Sequence, residues 1–298
     1  MATDTAIPAA PDAQAAASPR RRKFDWSPVR TYVGVAVIVI WGLAPAYWMV
    51  VTAFRNVGYT FDTTPYPTHV TLDNFRTAFD TSLGNKFADA LLHSTIIGIG
   101  TTVIAMVVGV FCAYALSRLE FRGKYVLLGV ILAASMFPPV ALVTPLFQLF
   151  TNIGWIDTYQ ALIIPDISFA LPLTIYILTA FFREMPWDLE EAARIDGCSQ
   201  WQAFRLVILP LAAPGLFTTA ILAFIASWNE FLLASELGPS KVQPVTVAIA
   251  NFTGAQPHQV PYTAIMAAGT IVTIPLVIMV LIFQRRIVAG LTAGGVKG

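Results

Sequence analysis

Long uninterrupted apolar runs dominate the chain. Six of them are long enough to cross a bilayer as helices, because about 20 residues at a rise of about 1.5 Å span a hydrocarbon core of about 30 Å. The runs do not alternate between apolar and polar residues, which argues against the strands of a membrane barrel. The pattern predicts an all-α membrane protein with six transmembrane helices. The predicted spans are 31–54, 90–117, 125–156, 159–182, 211–234 and 262–283.

The composition supports this prediction. The 298 residues are 56% hydrophobic and 12% charged, and a typical soluble domain has about 25% charged residues. A net charge of +1 provides no basic field for binding nucleic acid. Two cysteines, Cys112 and Cys198, are too few for a disulfide framework. An ordinary soluble enzyme and a nucleic-acid-binding protein are therefore not expected.

Basic residues are concentrated in alternate connections between the predicted spans. If the N-terminus is cytoplasmic, fourteen of the eighteen Lys and Arg residues lie in cytoplasmic segments, and the opposite topology reverses this distribution. The cytoplasmic loops of membrane proteins have an excess of Lys and Arg. We therefore expect a multi-pass protein of the cytoplasmic membrane with both termini in the cytoplasm.

Three segments follow from this topology. Residues 1–30 begin with an Ala- and Pro-rich stretch that has no apolar period, which predicts a disordered cytoplasmic tail. Residues 31–284 form the predicted six-helix domain, and residues 285–298 a cytoplasmic C-terminal tail. The basic run at 20–23 is either a topology signal or a patch for anionic membrane lipid.

The longest predicted outer connection, 55–89, contains the sequence TLDNFRTAF at 71–79. Leu72, Phe75 and Phe79 share one face if this segment is helical. We expect a short helix starting at Thr71, with this face against either a partner protein or the other helices.

The connection between the fourth and fifth predicted spans, 183–215, holds eight of the 35 charges. It predicts two short helices with a sharp joint. Asp188 and Glu191 fit a capping box at the start of the first helix, Gly197 fits a left-handed stop, and Ser199 fits a second N-cap. A rigid, charged projection of this kind suits insertion into another protein, although it also fits an interfacial loop without a partner.

The sequence EAARIDG, followed by nine residues and VILP, resembles the EAA-x3-G-x9-I-x-LP signature of permease subunits of bacterial ATP-binding-cassette (ABC) importers. Val207 stands where that signature usually has Ile. WNEFLLA at 228–234 and the C-terminal RRIVAGLTAGGVKG are similar to carbohydrate permeases of the maltose-transporter type. The chain as a whole also resembles permeases of mycobacterial trehalose-recycling importers. The matching signature residues are Glu191, Ala192, Ala193, Gly197, Leu209 and Pro210.

This resemblance implies a type I ABC importer fold that imports a carbohydrate such as trehalose. It implies a second permease subunit, an ATPase dimer that binds ATP and Mg²⁺, and an extracytoplasmic solute-binding protein. This chain would then be no enzyme and would hold no cofactor. In the family, the segment 183–210, here named the 183–210 loop, contains a coupling helix that enters a cleft of the ATPase. The implied contact residues are Glu190, Glu191, Ala192, Ala193, Asp196 and Gly197.

Two acidic residues within the predicted spans are candidates for the substrate pathway, because a charge inside a span is costly and usually faces a cavity or a partner. Asp166 lies in the fourth span, and Glu230 follows Trp228 and Asn229 in the fifth. A Trp-Asn-Glu group can stack on a sugar and form hydrogen bonds with it. Alternatively, both acids lie at the headgroup boundary, where they are hydrated or cap a helix.

Asp166 and Glu230 would also suit a proton or ion site, so a cation-coupled secondary transporter is the alternative function. A membrane enzyme is less favoured, because the sequence has no GxxxxGK[ST] phosphate loop, no HExxH and no GxSxG. His69, His93 and His258 have no spacing that predicts a metal site.

Overall fold

The computed structural model describes residues 27–253 and 260–293. The predictions for residues 1–26, for His258 and for residues 294–298 lie outside this part of the chain. The described residues are almost entirely helical, and their extended pairing is limited to an isolated bridge between Arg55 and Val70. The all-α prediction is confirmed.

Long helices alternate with short ones along the described chain. Three further short segments are the 3₁₀ turns Val57–Tyr59 and Thr81–Leu83 and the π-helical segment Phe204–Ile208. The α-helices are α1 (Ser27–Ala53), α2 (Asp73–Ala78), α3 (Phe87–Arg118), α4 (Lys124–Ser135), α5 (Pro139–Asn152), α6 (Tyr159–Glu184), α7 (Asp188–Ile195), α8 (Gln200–Ala203), α9 (Leu209–Leu211), α10 (Ala213–Trp228), α11 (Leu232–Leu237), α12 (Val245–Ala250) and α13 (Tyr262–Ala293).

The chain divides into two compact units, 1–46 and 47–298, and the boundary lies inside α1. In the first unit, every described side chain from Val29 to Ala46 is exposed. The second unit contains the remaining helices and all of the packing described below. The backbone of α1 is helical from Ser27 and that of α13 to Ala293, while the division into tails at 1–30 and 285–298 stays a prediction.

Among the described residues, four helices are long and apolar enough to cross a membrane: Val29–Ala53, Phe87–Arg118, Tyr159–Glu184 and Tyr262–Gln284. They correspond to the first, second, fourth and sixth predicted spans. The third predicted span corresponds to α4 and α5, which meet at a bend of 84°. The fifth corresponds to α10, which meets the preceding segment Gln200–Leu211 at a bend of 72°. Counting each pair as one span gives up to six spans.

Proline accounts for the position of both bends. Proline has no backbone N–H and disfavours a helical conformation in the residue before it. Pro138 and Pro139 occupy the bend between α4 and α5, and Pro210 and Pro214 flank the bend before α10. Pro165 and Pro172, by contrast, lie within the continuous helix α6.

Close approach of small residues holds the long helices of the second unit together. A Cβ atom added to Gly109 of α3 would lie 2.5 Å from Thr174 Cγ2 of α6. At Gly215 of α10, an added Cβ would lie 2.6 Å from the ring of Phe181 in α6. Glycine at these positions lets the helix backbones approach, which is how membrane helices gain packing contacts where lipid supplies no hydrophobic drive.

The connection 55–89 belongs to the second unit and is folded against the end of α1. Arg55 is fully buried and donates to the carbonyls of Asp62 and Thr64. Asn74 in α2 donates to the carbonyls of Ala53 and Arg55 at 2.8 and 2.6 Å. The helix predicted at 71–79 forms as α2, but its buried residues are Asn74 and Ala78, while Leu72 and Phe79 of the predicted apolar face are exposed. The polar Asn74 faces inward because the buried carbonyls at the end of α1 need a donor.

Candidate functional site

The first candidate region is the 183–210 loop, whose first complete helix is α7. Gly197 ends this helix with a φ of 92°. Cys198 N donates to the Ala193 carbonyl at 3.0 Å and Gly197 N donates to the Arg194 carbonyl at 3.1 Å. This pair of bonds is a Schellman C-cap, which satisfies carbonyls at the end of the helix. The predicted left-handed stop at Gly197 is confirmed.

The start of α7 differs from the prediction. Trp187 occupies the N-cap position without a side-chain cap, and Asp188 is the first helical residue. The predicted capping box of Asp188 and Glu191 is therefore wrong. The carboxylates of the first turn, Asp188, Glu190 and Glu191, instead supply negative charge at the positive end of the helix dipole.

The second half of the loop contains a capping box. Ser199 Oγ accepts from Gln202 N at 3.3 Å, and the Gln202 side chain accepts from Ser199 N at 2.8 Å. The predicted N-cap at Ser199 is confirmed. The chain then continues through α8 and the π-helical segment to α9. Along this part of the chain Phe204 is buried, whereas Trp201 is 56% exposed.

The six predicted ATPase-contact residues divide between the two sides of α7. Glu191, Ala192, Asp196 and Gly197 are exposed. Glu190 and Ala193 are buried. A side chain that is already covered by its own chain has little surface to offer a partner, so the expectation of direct contact changes for Glu190 and Ala193.

Glu190 joins α7 to the end of α3. Its Oε1 accepts a hydrogen bond from the hydroxyl of Tyr114 at 2.7 Å. Its Oε2 lies 3.8 Å from Arg118 Nε, and the exposed fractions of the two side chains are 11% and 3%. A buried carboxylate requires such partners, because an unpaired charge away from water is strongly unfavourable.

Arg118 holds the segment that leads into α7. Its Nη2 donates to the Met185 carbonyl at 3.2 Å. Its guanidinium lies 4.6 Å from the centroid of the Trp187 ring, a cation–π geometry. Tyr114, one helical turn before Arg118, packs edge-on against Phe204 with centroids 4.7 Å apart.

Sequence reasoning missed the contribution of Tyr114, Arg118 and Trp187. Arg118 was counted only as one of the basic residues that set the topology. A signal was present, because residues at i and i+4 share one face of a helix and both Tyr114 and Arg118 carry polar groups at the end of an apolar run. Their partner Glu190 is 76 positions from Tyr114, so the pairing depends on the packing of α3 against α6.

The second candidate region surrounds Asp166, which lies in α6 and is 6% exposed. Asp166 Oδ2 accepts a hydrogen bond from Ser227 Oγ of α10. Asp166, Ser227 and Glu230, together with Ser94 of α3 and Pro244, line a small enclosed cavity. Both acids predicted for the pathway, Asp166 and Glu230, therefore lie at this cavity.

The predicted Trp-Asn-Glu group does not share one surface. Trp228 is 3% exposed and packs on Phe224 with centroids 5.3 Å apart, so its ring belongs to the core. Asn229 is exposed, and its side chain donates to the Ile225 carbonyl at 2.8 Å. The chain leaves the helix after Trp228, before the predicted span end at residue 234, and this turn separates the three side chains.

Glu230 caps the helix that follows it. Its carboxylate accepts from Leu233 N at 2.8 Å and from Ala234 N at 2.9 Å, at the start of α11. These bonds satisfy N–H groups that have no partner inside the helix. Of the two acids, Glu230 therefore caps a helix, as the alternative interpretation expected.

A larger cavity of about 200 Å³ also borders Asp166 and Glu230. Ligand pockets that enclose a drug-sized molecule have volumes of roughly 300–1,000 Å³. The cavity is thus too small to surround a disaccharide by itself. Its lining consists of Asp166, Ser227 and Glu230 with Pro139, Phe169, Ala170, Ala226 and Leu233.

The described residues bring no three His, Cys, Asp or Glu side chains together as a metal site. His93 Nδ1 lies 2.7 Å from the Tyr159 hydroxyl, and His69 stacks on Tyr59 with centroids 4.0 Å apart. Both histidines therefore have interactions within the chain.

The family described as "Binding-protein-dependent transport system inner membrane component" matches residues 105–292. The chain is 50% identical over 279 residues to the trehalose transport system permease protein SugB of Mycobacterium tuberculosis, covering 93% of this chain and 99% of that protein. It is 42% identical over 269 residues to the trehalose/maltose transport system permease protein MalG of Thermococcus litoralis, covering 89% and 95%.

The fold is similar to that of a solved bacterial ABC transporter involved in the import of the acidic polysaccharide alginate. The TM-score is 0.70 at 21% sequence identity, with 87% of this chain and 95% of that chain covered. This similarity confirms the predicted ABC-importer permease fold. Together with the family match over residues 105–292 and the 50% identity over 93% of the chain, it leads to one conclusion: the chain belongs to the binding-protein-dependent transport system inner membrane components, the permease subunits of ABC importers.

Proposed function

We propose that this permease imports a carbohydrate, a disaccharide such as trehalose or a related oligosaccharide, by alternating access powered by ATP hydrolysis on partner subunits. The observation that supports the substrate class most directly is the end-to-end similarity to permeases named for trehalose and for trehalose and maltose. The chain itself would contribute the pathway and the mechanical connection, and ATP and Mg²⁺ would be held by the ATPases.

The alternative of a cation-coupled secondary transporter is wrong, because the chain belongs to a family of ABC importer permeases. Its two proposed ion ligands also have other partners. Asp166 accepts from Ser227, and Glu230 caps α11.

The proposed assembly contains this chain, a second permease subunit, two ATPases and an extracytoplasmic solute-binding protein within membrane lipid. The exposed side chains of α1 from Val29 to Ala46 fit contact with lipid or with the second permease. The cavity at Asp166, being too small for a disaccharide, fits a pathway that is completed by the second permease subunit.

In the proposed orientation, both termini and the 183–210 loop face the cytoplasm. The support is the distribution of Lys and Arg, with fourteen of eighteen on that side. The ATPases then meet α7, and the solute-binding protein meets the opposite side of the membrane.

The exposed side of α7 is the proposed ATPase contact. Glu191 and Asp196 offer carboxylates for basic residues of the ATPase, and the small Ala192 and Gly197 permit close approach of the two backbones. Glu190 and Ala193, the other two members of the predicted set, support the helix from its buried side.

The proposed substrate pathway passes the cavity that contains Asp166 and Glu230. The exposed Asn229 offers an amide to sugar hydroxyls from the end of α10, and the buried Trp228 fixes the position of that helix end. This chain then supplies part of the sugar site, and the facing subunit supplies the rest.

Purification of the assembled complex tests the proposal. We expect the second permease and the ATPases to co-purify with this chain, and a photo-cross-linker at residue 192 to attach to the ATPase. ATP hydrolysis should rise when the solute-binding protein is loaded with trehalose. Isolation of the chain without an ATPase, or hydrolysis that no sugar-loaded binding protein stimulates, would contradict the proposal.

A further inference from the structure

We infer that Tyr114, Arg118, Trp187 and Glu190, named here the α3–α7 contact, transmit movement of α7 to α3. In this arrangement Glu190 is a positioning residue that acts within the chain, one position before the exposed Glu191. The inference rests on the proposed function, in which the ATPases displace α7.

The first step is that α7 moves as one body with the joint that follows it. The Schellman cap at Gly197 and the capping box at Ser199 satisfy the backbone groups on both sides of the joint. Bending at this joint would break hydrogen bonds on one side or the other. When the exposed side of α7 is displaced, its buried side therefore moves by nearly the same distance.

The second step is that the buried side of α7 is attached to α3 by polar contacts with defined directions. Tyr114 donates a hydrogen bond to Glu190 Oε1 at 2.7 Å, and Arg118 forms an ion pair with Glu190 Oε2 at 3.8 Å. Arg118 also binds the Met185 carbonyl and the Trp187 ring, on the segment before α7. Apolar side chains can slide past one another, whereas a buried carboxylate held by a hydroxyl and a guanidinium resists displacement, because separating it from either partner costs free energy.

The third step is the length and continuity of α3. It runs from Phe87 to Arg118 without proline, and a helix of this length extends about 48 Å at about 1.5 Å per residue. Near its other end, Ser94 Oγ accepts from Val245 N at 2.8 Å, and Ser94 lines the small cavity with Asp166, Ser227 and Glu230. α3 thus joins the 183–210 loop to the acidic cavity at the opposite end of the unit.

The expected behaviour differs from that of a residue that binds the ATPase directly. Removing an ATPase contact releases the ATPase or lowers hydrolysis. Loosening the α3–α7 contact leaves the exposed side of α7 intact, so the ATPases stay bound and hydrolyse ATP while less of their movement reaches the pathway. The ratio of sugar transported to ATP hydrolysed separates these two cases.

Two variants test the contact in the whole complex, reconstituted in vesicles with the solute-binding protein. Tyr114→Phe removes one hydroxyl and keeps the ring against Phe204. Glu190→Gln removes the charge facing Arg118 and keeps the side-chain size. Glu120→Gln is the matched control, because Glu120 has a side chain that is 83% exposed and pairs with Lys124 outside the α3–α7 contact.

We expect both variants to retain the ATPases and the sugar-stimulated hydrolysis, while sugar transported per ATP falls about tenfold, the size of effect expected when a hydrogen bond to a charged group is lost. The double variant should be no worse than Glu190→Gln alone, because the two residues form one contact. Glu120→Gln should match the wild type.

Three results would overturn the inference: loss of the ATPases from the Glu190→Gln complex, an equal fall in transport and hydrolysis, or an unchanged ratio in both variants. If Glu190→Gln fails to reach the membrane, Tyr114→Phe decides the question alone. A wild-type complex without ATP-dependent uptake would instead refute the proposed function, so the two failures are distinguishable.

Discussion

Gly197 combines a left-handed backbone conformation with a place in the proposed ATPase contact. Its φ of 92° lies in the left-handed region, and no atom lies within 4 Å of the position that a Cβ would occupy. A side chain here therefore costs conformational free energy, about 1–2 kcal/mol for an L-residue in the left-handed region, without any clash. The same position ends the exposed side of α7.

Gly197→Ala should accordingly loosen the joint after α7 and lower sugar-stimulated ATP hydrolysis. Gly154→Ala is the matched control, because Gly154 has a φ of 71°, has equally open surroundings and lies outside the 183–210 loop. Thermal denaturation in detergent should show a similar small loss of stability for both variants. If the Gly197→Ala and Gly154→Ala complexes hydrolyse ATP at equal rates, Gly197 has no specific role in coupling. Gly197→Pro should be more severe, since proline fixes φ near about −65°.

At the scale of elements, the central packing is that of α3 against α6. The absence of a Cβ at Gly109 allows Thr174 to fill the space, and Thr174 is a β-branched side chain with restricted χ1 freedom. The end of α3 beyond this crossing holds Tyr114 and Arg118. The position of the α3–α7 contact thus depends on how closely the two helices approach.

Gly109→Val should destabilise the protein by about 1–3 kcal/mol, the usual cost of overpacking a close contact. Gly129→Val is the matched control, because Gly129 in α4 has no atom within 4 Å of its added Cβ. Thermal denaturation of the two variants in the same detergent measures the difference. Identical midpoints would show that the close approach at Gly109 does not limit stability.

For the whole molecule, apolar run length predicted where the spans lie but not how they bend. The runs beginning at Tyr125 and Leu211 pass the same test of length and hydropathy as the straight helices when each bent pair is taken together. The bends depend on whether the surroundings accommodate the carbonyl groups that each proline leaves without a donor. Pro165 and Pro172 are accommodated within α6, while Pro138 and Pro139 interrupt the chain. Whether a proline bends its helix depends on the neighbouring helices, and the pattern of apolar residues along the chain contains no information about those neighbours.

The candidate residues show the same division between local and long-range information. The stop at Gly197 and the cap at Ser199 were predictable because their partners lie within four residues in sequence. The burial of Glu190 was not, since its partners Tyr114 and Arg118 lie on another helix. The separation of Trp228 from Glu230 likewise depends on where α10 ends.

The proposed orientation makes a prediction that uses the native cysteines. Cys198 lies in the 183–210 loop and is half-buried, and Cys112 lies within α3. In a Cys112→Ser background, a membrane-impermeant thiol reagent should label Cys198 in inside-out vesicles and not in intact cells. Labelling from the outer side of intact cells would reverse the topology and place the proposed ATPase contact on the wrong side of the membrane.

The central claim is that sugar import through this chain is driven by ATP rather than by an ion gradient. The most direct measurement is uptake of labelled trehalose by vesicles that contain the assembled complex, with the solute-binding protein outside and ATP inside. We predict uptake that requires both ATP and the binding protein and that persists when ionophores collapse all ion gradients. Uptake by this chain alone, without ATP and abolished by ionophores, would contradict the account.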